Sequence, residues 1–261
     1  MGLKREIKFF ITCQRYNWLS FLAYRMQAFV WLSLNALFIL YGILTVTIIY
    51  GVSSGISGWS YYQMLFLIGT TGITVNAVWY LCNPNGLVRQ LRSGKLDSTF
   101  LRPYSRLNIM LSASGNVDNS TTAISSLIMM AYAASKIGVD AAGMLLYAAL
   151  MAAGISAFVL FVMALSVLAY LLIRGANFVN GVLNFMSSSS KYPLSIFGFA
   201  GQLIFTLLLP IGIASYYPAE FVLGRLSLSS AALVFVLALL VGAASYVLFH
   251  KFMKGYVGGG G

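Results

Sequence analysis

The sequence predicts an all-α integral membrane protein with six transmembrane helices, an N-terminal amphipathic helix at the membrane interface and a helical loop on the cytoplasmic side. Of the 261 residues, 60% are hydrophobic and only 8% are charged, whereas an average soluble domain carries about 25% charged residues. The uncharged windows are long enough for spans of about 20 residues each. The chain has 16 basic residues and 5 acidic ones. Most of the basic residues lie in segments that fall on the same side of the membrane once the spans are counted, which is typical of cytoplasmic loops.

This composition excludes several classes of protein. A soluble globular domain or a disordered chain needs more polar surface in contact with water than 8% charge provides. The net charge of +11 suits a nucleic-acid-binding protein, but such a protein presents its basic patch on a soluble body. We therefore expect no nucleic-acid partner and interpret the basic residues as a topology signal that also meets membrane lipid headgroups.

Uncharged windows predict the spans in order. The first window, from Arg25 to Arg89, holds two spans that a Gly- and Ser-rich turn from Gly51 to Gly58 separates. The runs are continuous rather than alternating segments of about 10 residues, so they predict helices and not spanning strands. The fourth span is longer than a crossing requires, and we expect it to tilt. The spans are predicted near residues 27–50, 60–82, 117–135, 142–173, 194–214 and 227–249.

Six spans place both chain termini on one side of the membrane. With that side cytoplasmic, only Lys136 and Arg225 of the 16 basic residues fall outside, which leaves 14 inside, with Arg174 and Lys191 among them. This bias predicts a multi-pass protein of the plasma (bacterial inner) membrane with both termini in the cytoplasm. We expect no cleavable signal peptide, because the first apolar run is longer than the about 7–15 residues of a signal sequence.

Residues 1–256 are predicted to form a single transmembrane domain, followed by a glycine-rich tail at 257–261. The two cysteines, Cys13 and Cys82, fall near the cytoplasmic side, where structural disulfides are rare. His250 ends the sixth span alone, and a histidine without partner ligands does not predict a metal site.

The first 20 residues predict a short amphipathic helix. Leu3, Ile7 and Ile11 recur at helical spacing, with Lys4 and Lys8 on the adjoining face. A basic amphipathic helix beside a span usually lies in the plane of the interface. Two interpretations stay open: a simple topology anchor, or a helix that also contacts a cytoplasmic partner.

The segment between the second and third spans, residues 83–107, is much longer than a tight turn. Apolar residues at helical spacing predict a first short helix, which Gly94 ends. Asp97 or Ser98 is predicted to cap a second short helix. The loop therefore has a defined shape, with two helical elements joined at a glycine.

This loop carries the motif that points to a family. Residues 91–105, LRSGKLDSTFLRPYS, resemble the loop of the ABC-2 type permeases, in particular the branch with short six-helix subunits. In that loop a basic residue, Gly and Leu precede Leu-Lys/Arg-Pro. Residues 192–194 and 217–219 are weaker likenesses. The matching loop positions are Arg92, Gly94, Leu96, Leu101, Arg102 and Pro103.

The resemblance implies a permease subunit of an ATP-binding-cassette transporter that works as an exporter. It also implies a second permease subunit, identical or related, and two separate ATPase subunits on the cytoplasmic face. The chain has no G-x-x-x-x-G-K-[ST] phosphate-binding motif. We therefore expect no catalysis and no cofactor in this chain, with ATP and Mg²⁺ bound by the partner ATPase.

In similar permeases the loop after the second span supplies the helix on which the ATPase docks, here residues 87–100 with Gly94 as the joint. A loop that only enforced topology would not need apolar residues at helical spacing, so docking is the favoured interpretation. The expected docking residues are Leu87, Leu91, Arg92, Gly94, Lys95, Leu96, Asp97, Leu101, Arg102 and Pro103.

Polar side chains inside spans are the usual markers of a transport path. In similar permeases the second and fifth spans line that path, and Pro210 is expected to kink the fifth. The uncharged lining predicts an apolar or amphipathic cargo such as a lipid, a peptide or a drug. Alternatively, these groups only bond to their own or a neighbouring helix. The candidate path residues are Thr70, Thr74, Asn76, Gln202 and Thr206.

Other features leave alternatives open. Asp118 is interpreted as a cap of the third span, with a proton- or cation-coupling carboxylate as the alternative, and Asp140 as a cap of the fourth. The resemblance implies a short re-entrant helix at Phe221–Leu226. An ATP-independent ion-coupled carrier or channel is the alternative function, although no internal repeat is evident. A lipid-modifying enzyme is disfavoured, because its acid–base residues would have to cluster.

Overall fold

The computed structural model describes residues 2–52, 55–115, 117–172 and 175–258. Residues 53–54 of the predicted turn, Arg174 and residues 259–261 of the predicted tail lie outside the described residues. Within the described ranges every regular element is helical, and Ile56 and Trp59 form an isolated β-bridge. The all-α class predicted from the sequence is therefore confirmed for this part of the chain.

The helices follow one another with short connections. A 3₁₀ turn at Leu194–Phe197 precedes α10, and a π-helical turn at Ile204–Leu208 follows it. The α-helices in the described residues are α1 Leu3–Ala23, α2 Arg25–Val52, α3 Tyr61–Leu81, α4 Pro84–Arg92, α5 Asp97–Phe100, α6 Arg106–Ser114, α7 Asp118–Ile137, α8 Ala141–Leu171, α9 Gly175–Ser189, α10 Gly198–Leu203, α11 Ile211–Ala214, α12 Tyr216–Val222 and α13 Leu228–Met253.

Several of these helices are long and apolar enough to cross a membrane. Among the described residues there are four such runs, and a fifth if the bent pair Asn177–Ser189 and Leu194–Leu208 counts as one span. Helix α7 has 20 residues at the predicted third position, but its Ser and Thr residues leave it less apolar. The chain is thus a multi-pass membrane protein. The four apolar runs are Arg25–Val52, Tyr61–Arg92, Ala141–Leu171 and Leu228–Met253.

The predicted helix caps are confirmed in one case and wrong in two. The Asp140 carboxylate accepts from the backbone N–H of Gly143 at 3.1 Å and caps α8 as expected. At α7, Val117 occupies the N-cap because the helix begins one residue earlier, so Asp118 lies in the first turn. At α5, Leu96 occupies the N-cap position in place of Asp97 or Ser98.

Small residues allow close approach between the spans. Helix α3 packs along α7, and α8 packs along α13. A Cβ atom at Gly69 would lie 2.8 Å from Cβ of Met130, and one at Gly72 would lie 2.3 Å from Oγ of Ser126. Glycines at such crossings let membrane helices pack closely and gain van der Waals contacts, because the hydrophobic effect does not drive helix association within lipid.

The predicted fifth span at 194–214 is not one helix. Gly198 adopts a left-handed φ of +65° after the 3₁₀ turn. The helix widens into the π turn and ends before Pro210, which has no N–H to continue the ladder. The kink expected at Pro210 is therefore a full break. After the short helix α11 comes α12, Tyr216–Val222. The re-entrant helix expected at Phe221–Leu226 is therefore misplaced, with a turn at Gly224 instead.

Helix α9 is absent from the prediction, which treats the segment between the fourth and fifth spans as a cytoplasmic connection. Val179, Leu183 and Met186 recur at helical spacing and are buried. The helix packs on α8 and α4. It meets the following helical run at an angle of 111°.

Helix α1, Leu3–Ala23, covers the segment predicted as an amphipathic interfacial helix, and α6 is a neighbour that the sequence does not predict. The Glu6 carboxylate accepts from Asn108 Nδ2 at 2.6 Å and from the Ser105 backbone N–H at 2.9 Å. The hydrogen bond from Asn108, with those from Ser105, lowers the pKa of Glu6. Because Ser105 also caps α6 through its hydroxyl, α1 is tied to the start of that helix.

Candidate functional site

The loop between the second and third spans forms two helices joined at Gly94, as predicted. Gly94 has a φ of +65°. Its N–H donates to the carbonyl of Leu91 at 3.3 Å, and the N–H of Lys95 donates to that of Gln90 at 3.2 Å. This pair of bonds is the Schellman arrangement, which needs a left-handed residue at that position. At the other end, Asn83 caps α4 by accepting from the Gly86 N–H at 3.1 Å.

Three leucines of this loop are buried. Leu87 and Leu91 are 0% exposed and Leu96 is 2% exposed. Helix α4 packs on α8 and α9. Three of the predicted docking residues therefore anchor the loop to the spans and do not form an outer surface.

Hydrogen bonds tie the loop to the ends of two spans. The Arg92 guanidinium donates to the carbonyl of Leu172 at 2.6 Å, just past the end of α8. Beyond α13, the Tyr256 hydroxyl donates to the Asp97 carboxylate, and the Tyr256 ring contacts Phe100 and Tyr170. Burial, then the bond to Asp97, raises the pKa of Tyr256. The loop is thereby linked to both α8 and α13.

The remaining docking residues form an exposed surface, which we call the basic loop face. Leu101 is 87% exposed, and the other members are exposed as well. None of the hydrogen bonds named above involves their side chains. The basic loop face consists of Arg89, Lys95, Leu101, Arg102 and Pro103; Arg89 is the one member that the docking prediction did not include.

A cavity of about 740 Å³ lies between α2, α3, α7 and α9. Helices α2 and α3 contribute most of the apolar and aromatic lining, together with Thr45, Thr71 and Asn76. Helices α7 and α9 contribute a polar wall of hydroxyl and amide groups. The residues that form this polar wall are Asn119, Thr122, Ser125, Ser126, Asn184, Ser187 and Ser188.

The predicted path residues divide between this cavity and the protein interior. Asn76 lines the cavity. Thr70 bonds to the Tyr147 hydroxyl at 2.8 Å, and Thr74 donates to the carbonyl of Ala214 at 3.0 Å. Both threonines are 0% exposed, so they match the alternative in which hydroxyl groups bond between helices.

The two candidates from the fifth span also lie away from the cavity. Thr206 donates to the carbonyl of Gln202 at 2.5 Å and bonds to the Tyr217 hydroxyl at 3.0 Å. Of the broken fifth span it is therefore α9, and not the predicted segment 194–214, that lines the cavity together with α3. The partners of α3 in the cavity are α2, α7 and α9.

Lys191 is the residue that sequence reasoning missed. The prediction places it in a cytoplasmic connection, whereas the structure places it at the bend after α9, where it lines the cavity. The preceding carbonyl, of Ser190, accepts from Thr71 Oγ1 at 2.9 Å. Thr71 lies at the middle of α3. The run of four serines before Lys191, which follows a helical apolar pattern, is the signal that points to a helix end.

Other site chemistry is sparse in the part of the chain that the structure describes. No group of three or more His, Cys, Asp or Glu residues is placed to hold a metal ion there. Cys13 and Cys82 are free thiols. The Asp118 carboxylate accepts from Nε2 of Gln27 at 3.3 Å.

The comparison with protein families gives one result. The sequence model described as ABC-2 family transporter protein matches residues 34–260. The search of curated proteins and the search of solved structures gave no match. The matched region begins within α2 and contains the loop joined at Gly94, the cavity-lining residues from Phe38 onward and all of α3, α8 and α13. The chain therefore belongs to the ABC-2 transporter family, as a membrane component of an ABC-type transporter.

Proposed function

We propose that this chain is the permease subunit of an ATP-binding-cassette exporter. It forms the substrate path with a second permease subunit, identical or related, in the plasma (bacterial inner) membrane. Counting α7 and the broken run from α9 to α12 as spans, it crosses six times, with both termini cytoplasmic. Two separate ATPase subunits bind the basic loop face. ATP and Mg²⁺ bind to those ATPase subunits, so this chain itself is not catalytic.

One observation carries this proposal: the loop joins an exposed basic surface to the ends of the spans. Its inner leucines are buried against α8 and α9, and its hydrogen bonds reach the segments that follow α8 and α13. A force applied to the basic loop face is therefore transmitted to these helices. In a rocking transporter such a link shifts the population between inward-open and outward-open forms.

The cavity supports the predicted apolar or amphipathic cargo. Its aromatic wall suits an apolar chain, and its hydroxyl and amide wall suits a polar group. An ATP-independent carrier would instead want coupled intramembrane charges. The acidic residues among the described ones do not line this cavity.

Charge reversal of the basic loop face tests the proposal. We expect Arg89→Glu, Lys95→Glu and Arg102→Glu together to reduce co-purification of the ATPase from native membranes at least about tenfold, because like-charge contacts cost several kcal/mol. The matched control reverses Lys8, Lys251 and Lys254, which are exposed basic residues of the same predicted side outside the loop. Equal retention of the ATPase by both variants contradicts docking on this face. A wild-type chain that transports with no ATPase supports the carrier alternative.

A further inference from the structure

Lys191 lies beside apolar helices, where a charged side chain has a high free-energy cost unless it faces a cavity or a partner. Its neighbour Ser190 bonds to Thr71, the middle residue of α3, which is about 15 Å from either helix end at 1.5 Å per residue. A bilayer core is about 30 Å thick. Lys191 directly follows a residue that is held against the middle of α3, and its exposed side chain lines the cavity, as is usual for ionisable residues within spans.

The surroundings of Lys191 define the chemistry it can bind. It lines the cavity of about 740 Å³ together with Ser187, Ser188 and Asn184 of α9. Glu6, Asp97, Asp118, Asp140 and Glu220 are the acidic residues of the chain, and none is among the residues that line this cavity. The charged end of the site is thus positive, with hydroxyl and amide groups beside it.

The lining that α2 contributes is mostly apolar. It includes Phe38, Ile39 and Ile49, and α3 adds Val75. Phe38 is 58% exposed, so this wall opens outward along α2. An acyl chain would lie along this wall without meeting a charge.

The geometry points to a binding site for an amphiphile that carries one anionic headgroup, a phosphate or a carboxylate, on an apolar chain. The ammonium of Lys191 pairs with the headgroup, the Asn184 and Ser188 side chains donate to its oxygens, and the chain lies along α2. The Ser187 hydroxyl instead donates to the carbonyl of Leu183 at 2.8 Å. This assignment rests on the proposed function, because it takes the cavity as the cargo site. It specifies that the amphipathic cargo carries an anionic headgroup. Lys191 lies at the bend after α9, and its ammonium would form a charge-assisted hydrogen bond with the anionic headgroup.

Photolabelling of the purified chain tests the site without any ATPase. The probes are phosphatidic acid and phosphatidylcholine with the same diazirine-bearing acyl chain, in neutral detergent micelles. We expect phosphatidic acid to label the α2 and α9 peptides about tenfold more than phosphatidylcholine, the effect of one charge-assisted contact. Competition by dodecyl phosphate but not by inorganic phosphate assigns the site to an amphiphile. Effective competition by inorganic phosphate overturns the need for an apolar chain.

Variants connect the label to the lysine. Lys191→Met is expected to remove the preference for phosphatidic acid, and Lys191→Arg to keep it, while Lys136→Met near the end of α7 is the matched control. Equal labelling by the two lipids in the wild-type chain, or an unchanged preference in a folded Lys191→Met variant, overturns the proposal. Because the wild-type comparison needs no variant, poor folding of Lys191→Met leaves the test intact. ATPase co-purification with the same samples reports on the proposed function separately.

Discussion

Replacing Gly94 with valine is expected to disconnect the ATPase from the spans while the chain still inserts in the membrane. Gly94 has a φ of +65°, a conformation that costs an L-residue with a side chain about 1–2 kcal/mol. Relief of that strain opens the Schellman turn between α4 and α5. A change of this size shifts a two-state equilibrium about 5- to 30-fold, so the loop loses its fixed connection.

The readout for Gly94→Val does not need the cargo. A cysteine at Ser187 in the cavity, in a Cys13→Ser background, is labelled with a maleimide with and without ATP and vanadate. We expect the ATP-dependent change in labelling rate to disappear in Gly94→Val and to persist in Gly94→Asn, because Asn tolerates the left-handed conformation. Gly138→Val is the control, since Gly138 has a φ of +79° at the end of α7. Loss of the change in both valine variants would mean general damage rather than uncoupling.

Replacing Gly154 with valine is expected to destabilise the whole helix bundle. A Cβ atom at Gly154 of α8 would lie 2.6 Å from Cα of Ala214 and 2.6 Å from the carbonyl oxygen of Ile213. Both atoms belong to the backbone of α11, which cannot move aside by a side-chain rotation. Overpacking of this kind typically costs about 1–3 kcal/mol, and here it also strains the bond from Thr74 to Ala214.

Cys82 provides the measurement for this second prediction. Its thiol is 0% exposed and becomes reactive when the bundle opens. Thermal unfolding followed by a thiol-reactive dye is expected to give a lower midpoint for Gly154→Val than for the wild type. The matched variant Gly181→Val places the same side chain on α9 with no atom within 4 Å of the new Cβ, and we expect little change there. Equal midpoints for the two variants contradict the close crossing of α8 and α11.

The long spans and the loop are predictable from the sequence for a local physical reason. An uncharged run of about 20 residues has few alternatives to a membrane helix, so the positions of α2, α3, α8 and α13 follow from composition alone. The joint at Gly94 also has a local cause, because its backbone conformation favours glycine.

The site is less predictable, because it depends on contacts between distant residues. Tyr256 and Asp97 are 159 positions apart, and no periodicity indicates their pairing. The burial of Leu91 depends on α8 and α9, so the helical spacing of the leucines shows only that one face packs. Lys191 follows a serine run, which is as typical of a loop as of a helix that breaks inside a membrane. A broken span also lacks the uniform apolar pattern from which spans are predicted.

A photoreactive amino acid at Leu101 tests most directly whether an ATPase binds this loop. Leu101 of the basic loop face is 87% exposed, and Leu145 of α8 is 75% exposed near the predicted outer side. On irradiation of native membranes, the account predicts an adduct with an ATP-binding-cassette ATPase from position 101 and none from position 145. Absence of the adduct at position 101 from a chain that still holds the ATPase, or equal adducts at both positions, would contradict it.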